Sequence, residues 1–503
     1  VRLQRGVVFL HGQSDYQNYD ETDNLNDITE RLGCGFRFND DQMYDRHHND
    51  GPSYQPTTIV NSDFPFFDGS DGGGDGGEGG DGGDDDDGDD GGDDGDGDSD
   101  GPITYTAEVL SVGDGDTVTV RFDGSEKEIR VLGLDTPEKR RAQDAERTQK
   151  WEGIESLDHL GTWGANASDF ASQALSGETV EVFYDENSDK TDPFDRHLMY
   201  IRYDADGDGT TDTLYNHELI KKGYARCYDA SNAKHDAFQA ADEVARNAGR
   251  GLWPKSDPSA TPEIRDQSVS TLFVPKPAAV TTSNGSLSDS RVPVRAESTA
   301  NRGRAPLVGV DAEKPPAMVG GLMIDETYEQ AEGFGVDTAE YGNFPFLTNL
   351  LDSLSATDGD VVLEGGHRQF NNDAALSAED AAYYMRYLEG QGIGMVGLTD
   401  LPNADISDFQ AVIVTTPITA FSAAEREALA SFRDAGGAVV LMGSASADAS
   451  AVSNLNDLAG ALGSDLRLDG TAVTDRWNNL DRNQELPVTS QVDGTFVLFG
   501  PNS

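Results

Sequence analysis

The chain has 503 residues, room for two or three domains, and carries 92 Asp and Glu against 37 Lys and Arg, a net charge of −55. Such acidity argues against broad electrostatic binding of nucleic acid, since phosphate affinity comes from Lys and Arg. It suits a salt-adapted protein in molar salt, where the Debye length shrinks to roughly 3 Å and global charge says little about a local site.

Two cysteines, Cys34 and Cys227, are too few for a disulfide framework or a thiolate zinc site. No apolar run approaches the roughly 18 residues of a membrane span. The chain opens "VRLQRGVVFL" without a Met or a signal peptide, so a truncated or processed N-terminus is expected. "NLNDITERLGCGFRFNDDQMYDR" (Asn24–Arg46) aligns with "NLNDLAGALGSDLRLDGTAVTDR" (Asn454–Arg476) at a constant offset of 430. Residues 1–67 therefore read as the tail of an α/β repeat whose fuller copy is residues 319–503. Residues 68–102, almost all Asp and Gly, have nothing apolar to bury and read as a self-repelling linker.

The middle, residues 103–254, changes character. "TYTAEVLSV", "TVTVRF" and "KEIRVLGL" are three predicted strands joined by turns at Asp114-Gly115 and around Asp123-Gly124. A helix is predicted near Ala165–Leu175, closed by Gly177. Strands follow at "TVEVFY" and "HLMYIRY", then helices at "LYNHELIKKG" and "HDAFQAADEVARNAG". Short meandering strands with a few helices predict a compact OB-type β-barrel. Between Glu138 and Ala165 the chain is long, and "KWEGIESLDHLGTW" is expected to form a lip over the site.

Within the barrel, a hairpin turning at Gly124–Lys127 would set Asp123 opposite Glu128 and Asp116 opposite Asp135. Opposed residues lie about 5 Å apart, and like charges there repel. A hard cation resolves this, and with no His or Cys nearby the oxygen donors favour Ca²⁺ over zinc. Two solvated carboxylates at a sheet end are the alternative. A second acidic run, "DADGDGTTD", places Asp204, Asp206, Asp208, Gly209 and Asp212 like the opening of an EF-hand loop. Its twelfth position is Tyr215 rather than an acid, so a structural calcium competes with a plain acidic turn.

Residues 255–318, rich in Pro, Ser and Thr, read as a second linker. Beyond it, "AVIVTT" and "AVVLM" are buried-strand runs, Ser422 with Glu425 forms a capping box, and Gly436-Gly437 end the intervening helix. Strands alternating with helices predict a parallel α/β sheet. Residues 319–503 loosely resemble glutamine-amidotransferase-like domains.

"VGDGDTVTV", "IRVLGLDTPE", "TDPFDRHLMYI" and "GRGLW", in that order over Ile103–Pro254, resemble the thermonuclease, or staphylococcal-nuclease-like, family. The resemblance implies a five-stranded OB barrel with three helices, hydrolysing phosphodiester bonds of DNA and RNA with Ca²⁺ and leaving 3′-phosphate ends. It implies Asp116, Asp135 and the Thr136 carbonyl as calcium ligands, Glu138 as general base, and Arg130 and Arg196 as phosphate clamps. On a flat strand Arg130 would stand roughly 16 Å from Asp135, so their meeting demands strong curvature. The chain departs from the family pattern at Pro193-Phe194-Asp195-Arg196, where a phosphate-binding Lys is lost and Asp195 adds a negative charge. Tyr224 and Tyr228 are candidate base-stacking faces. Export from the cell is expected from family habit, with DNA or RNA as partner. The competing readings are a non-catalytic nucleic-acid-binding module and an interaction scaffold built on the α/β repeats.

Overall fold

Period-two alternation builds the barrel. In β1 (Thr104–Val112), β2 (Thr117–Phe122) and β3 (Ser125–Val131), the inward positions are Ala107 and Val109, then Val118, Val120 and Phe122, then Ile129 and Val131, all buried. β4 (Leu134–Asp135), α1 (Leu157–Leu175), β5 (Thr179–Phe183), β6 (His197–Tyr203), β7 (Thr213–Leu214), α2 (Tyr215–Lys221), β8 (Arg226–Cys227) and α3 (His235–Asn247) follow. The strand order is β3-β2-β1-β5-β6, and β3 pairs β6 in parallel from Ile129↔His197 to Val131↔Met199. Five strands thus close into a barrel of the expected OB type. β7 extends β6, and β4 pairs with β8 as a separate two-stranded element.

This computed structural model describes residues 103–140, 148–192, 194–260, 268–311, 316–324, 340–371 and 374–501. The readings made for residues 1–67 and 68–102 lie outside them. Among the described residues, the loop 191–196 groups apart from the unit made by residues 103–190 and 197–501.

In residues 150–163, read as a lip, Trp151, Ile154 and Leu160 are buried against Ala245, Leu252 and Trp253, since burying large apolar side chains removes them from water, while Trp163 is half-exposed.

The stretch 255–318 is not a linker. It supplies β9 (Leu272–Phe273), β10 (Ala278–Thr282), β11 (Val294–Arg295), β12 (Pro306–Val310) and most of β13 (Ala317–Val319), with Val274, Val280, Val294, Leu307 and Val308 buried. Strands of two to five residues are too short to display a period, and the Pro and Ser residues that suggest a linker lie mostly in the connections between them. The remaining elements are α4 (Asn343–Leu354), β14 (Val361–Glu364), α5 (Ala378–Glu389), β15 (Met395–Leu398), β16 (Ala411–Val414), α6 (Ala423–Ala435), β17 (Ala438–Met442), α7 (Ala449–Ala461), β18 (Leu466–Ala472), β19 (Val488–Thr489) and β20 (Gln491–Val492).

β11 to β17 and β20 form an eight-stranded sheet ordered β15-β14-β16-β17-β13-β12-β11-β20, while β10 pairs β18 and β9 pairs β19 in separate two-stranded sheets. Its first five strands are parallel and the last three antiparallel, so the sheet is mixed rather than purely parallel. The Ser422–Glu425 capping box is formed, and Gly436 ends α6 at φ 110°.

Candidate active site

The β2–β3 turn decides the geometry. Asp123 and Gly124 take φ of 51° and 73°, a two-residue turn whose handedness matches strand twist. The register therefore runs Phe122↔Ser125 to Thr117↔Arg130. This corrects the expected pairing of Asp116 with Asp135 and of Asp123 with Glu128. Asp116 stands opposite Val131, whose N–H donates to the Asp116 carbonyl at 2.8 Å. The sequence argument assumed a longer turn.

The two carboxylates meet by another route. Gly133 at φ 81° turns the chain, and β4 returns antiparallel to β8 with Asp135 beside Arg226. Arg130, far from Asp135 on a flat strand, now donates from Nη2 to Asp135 Oδ1 at 2.6 Å and from Nη1 to Asp116 Oδ1. Asp116 is 1 % exposed, and its Oδ2 accepts from the Thr136 N–H and Thr136 Oγ1, both at 2.7 Å. Arg130, Asp116, Asp135 and Thr136 thus come together, by contacts other than the predicted hairpin pairing. Thr136, however, engages Asp116 through its N–H and hydroxyl.

Electrostatics separates the two acids. Burial lifts the Asp116 carboxyl to about 7, Arg130 working against the shift and Asp114 and Asp135 adding to it. At Asp135 burial is outweighed by Lys150, Arg130 and Arg226, which hold its carboxyl well below the usual carboxylate range. The Arg226 Nη2 lies 3.5 Å from Asp135 Oδ2. Sequence reasoning missed Lys150 and Arg226, since both lie outside the motif and only β8 and the Thr148–Lys150 turn carry them in. Asp116 and Asp135 offer oxygen donors only, with no thiol or imidazole in the set, a chemistry that suits a hard divalent cation.

Glu138 is half-buried, and α1 holds its backbone. A Cβ on Gly164 would lie 2.2 Å from the Pro137 carbonyl and 2.7 Å from that of Glu138, so only glycine permits this contact. One turn on, a Cβ on Gly115 would meet Ala167 and Thr136, each at 2.8 Å. The α1 face bearing Gly164 and Ala167 is therefore the floor beneath the DTPE segment.

Arg196 belongs to the Thr191–Arg196 loop. There its N–H and Nε donate to Asp192 at 2.9 and 2.7 Å, and its guanidinium lies 5.4 Å from the Phe194 ring centre. Asp195 takes φ 62°. The loop pre-orients the arginine through Asp192, a partner the sequence reading did not single out.

In the β6–β7 connection, carboxylate oxygens of Asp204, Asp206 and Asp208 lie within 4.8 Å of one another. Asp212 is not in that group, its carboxylate accepting from Thr213 Oγ1 at 3.1 Å. Asp204 accepts from the N–H groups of Gly207, Asp208 and Gly209, as a self-satisfied acidic turn does. Tyr215 opens α2 and is buried, its hydroxyl donating to the Gly115 carbonyl at 2.8 Å. Tyr224 stacks on Phe170 with centroids 5.2 Å apart, and Tyr228 is half-buried.

Comparison with known proteins finds relatives over the barrel region. The family described as staphylococcal nuclease homologue matches residues 128–255, which include Arg130, Asp135, Glu138 and Arg196 but begin after Asp116. An uncharacterized protein of Methanocaldococcus jannaschii is 34% identical over 151 residues, 30% of this chain and 72% of the relative. The thermonuclease of Staphylococcus hyicus is 26% identical over 150 residues, 29% of this chain and 75% of the relative. Endonuclease YncB of Bacillus subtilis is 24% identical over 143 residues, 28% of this chain and 59% of the relative.

Proposed function

Because the chain belongs to the staphylococcal nuclease homologue family, we propose that its barrel is a Ca²⁺-dependent nuclease that hydrolyses DNA or RNA to 3′-phosphate products. The observation that carries this reading is the convergence of Asp116 and Asp135 on Arg130, beside a Glu138 segment held against Gly164. Asp116, Asp135 and the Thr136 carbonyl would hold the cation, which when bound supplies Lewis-acid polarisation of a phosphoryl oxygen.

The chain's own groups do the rest. Glu138 takes a proton from water, whose oxygen attacks phosphorus. The P–O5′ bond breaks, the departing oxygen takes a proton from solvent, and the phosphate stays on the 3′ side. Arg130 uses two of its five N–H donors on the carboxylates and has the others for phosphate oxygens. Planar, permanently charged forks suit the charge spreading over those oxygens, and Arg196 is the second such group. Lys150 and Arg226 keep Asp135 ionised, so a ligand carboxylate is always available near neutral pH.

The proposal extends to the rest of the chain. Residues 103–254 do the chemistry, the α/β sheet is accessory, and the protein works outside the cell in concentrated salt, which the 92 acids against 37 bases support. The test is cleavage of single-stranded DNA by purified protein in molar salt. Full activity requires Ca²⁺ and is abolished by EDTA, and Glu138→Gln lowers the rate by about 10²–10⁴-fold. Undiminished cleavage by that variant, or in EDTA, overturns the mechanism.

A further inference from the structure

A groove on the helical side of the barrel departs from the chain's overall charge. It has a volume of about 560 Å³ and is lined by Trp163, Glu218, Lys221, Lys222, Tyr224 and Arg250, with Gly251 at its base. That volume falls within the roughly 300–1,000 Å³ of ligand clefts. Three cations face a single carboxylate, so the groove carries net positive charge on a chain of net −55. Glu218 bridges the two lysines, 2.9 Å from Lys221 Nζ and 3.5 Å from Lys222 Nζ, and holds both at one rim.

The groove is built into the backbone. A Cβ on Gly223 would lie 2.4 Å from the Arg250 carbonyl, and one on Gly251 2.0 Å from the Gly223 carbonyl. Only two glycines allow the end of α2 and the turn after α3 to press together, and Arg250 Nη1 ties across to the Lys221 carbonyl at 3.1 Å. The aromatic wall is equally ordered. Trp163 and Tyr224 lie 5.6 Å apart, and Tyr224 stacks on Phe170 at 5.2 Å and 18°, leaving Trp163 and Tyr224 half-exposed.

The wall adjoins the catalytic segment. Trp163 precedes Gly164, the residue against which Pro137 and Glu138 pack. Arg140, two residues beyond Glu138, donates to Thr162 Oγ1 at 3.2 Å. Arg140 thus ties the DTPE segment to the turn of α1 that carries Trp163.

We propose that this groove is an extended subsite for single-stranded nucleic acid, in which bases stack on Trp163 and Tyr224 while phosphates meet Lys221, Lys222 and Arg250. The proposal rests on the nuclease reading for its substrate. Alternating stacking faces and cations match a flexible polyanion with flat bases. In concentrated salt the charged contacts are screened, so the aromatic faces supply most of the affinity there and the cations add to it as salt falls.

The test uses the full chain in two forms. In a Glu138→Gln, Trp477→Phe background, a single-stranded dodecamer is titrated while tryptophan emission is followed; Trp477 is 81% exposed and would otherwise add its own signal, whereas Trp151 and Trp253 are buried. Binding quenches Trp163, and Lys221→Glu with Lys222→Glu weakens the dissociation constant about tenfold at low salt and flattens its salt dependence. In the active enzyme the same lysine pair raises KM for the dodecamer about tenfold and leaves kcat for a dinucleotide unchanged. A dissociation constant and KM that do not move overturn the subsite, even if Glu138→Gln abolishes cleavage. Quenching and the lysine effect in a protein that cleaves nothing leave the groove standing and sink the nuclease reading. Tighter binding of an oligo-aspartate peptide than of the dodecamer also overturns the proposal, in favour of an acidic protein partner.

Discussion

The barrel and the α/β sheet each gather acids against a basic side chain at the end of a strand, with opposite results. In the barrel, Asp116, Arg130 and Asp135 come from separate elements, and the Arg130 side chain keeps 23% of its surface exposed. In the sheet, Glu364 at the end of β14 accepts from the Gly366 N–H at 2.8 Å, from His367 Nδ1 at 3.0 Å and from Gln369 Nε2. His367 Nε2 reaches Glu425 Oε2 at 3.4 Å, and Phe421 stacks on the imidazole at 3.7 Å. These three partners of Glu364 lie within five residues of it, and Glu425 and Phe421 cover the imidazole from α6 and the segment before it. The contrast teaches that a charged cluster can meet a ligand when its guanidinium keeps open donors and exposed surface. A cluster that satisfies itself locally serves the fold.

The sharpest way to break this comparison is Arg130→Gln. It leaves the buried Asp116 without its cationic partner, so it should cost about 3–5 kcal/mol of stability along with cleavage. Urea unfolding and a cleavage assay on the same sample check it, and full stability would mean that the carboxylates do not depend on the guanidinium.

A smaller effect concerns the contact between the two regions. Asp236 accepts from the Thr399 N–H, the Thr399 hydroxyl and the Asp400 N–H at 2.8, 3.0 and 2.9 Å. His235, fully buried, sits between Asp236 and Asp229. Burial disfavours its charge, but hydrogen bonds to Asp229 and Asp236 prevail and raise it from 6.5 to about 9. A raised folded value contributes stability that is complete below about pH 6.5 and is lost as pH climbs through about 9. The loss should be on the order of 3 kcal/mol, read as a fall in unfolding free energy between pH 6 and 10. His235→Gln should flatten that slope.

The smallest expected effect is Ser422→Ala. It removes the α6 capping box and should lower stability by about 1 kcal/mol while cleavage is unchanged. A change in kcat would tie the sheet to catalysis and erase the distinction between the two regions.

Much of the barrel was legible because its signals are local. β1, β2 and β6 match the runs "TYTAEVLSV", "TVTVRF" and "HLMYIRY" residue for residue, and in β1 and β2 side chains that alternate faces alternate in burial. The capping box and the αL glycine of α6 were visible for the same reason. Residues 255–318 misled because the average composition of a segment says nothing about a Val or Leu buried every few residues.

The sequence by itself pointed to the candidate groups: Asp116 in its Asp-Gly turn, DTPE with its two acids and, through the family resemblance, Arg130 on the preceding strand. Only the tertiary structure decided how they meet. The two-residue turn at Asp123-Gly124 fixes a register that keeps Asp116 and Asp135 out of direct opposition. The Gly133 reversal and the β4–β8 pairing then bring Asp135 to Arg130 and Arg226. Positive φ at a glycine and pairing with a strand far along the chain are choices made by the whole fold, because their energies come from contacts that no local window contains.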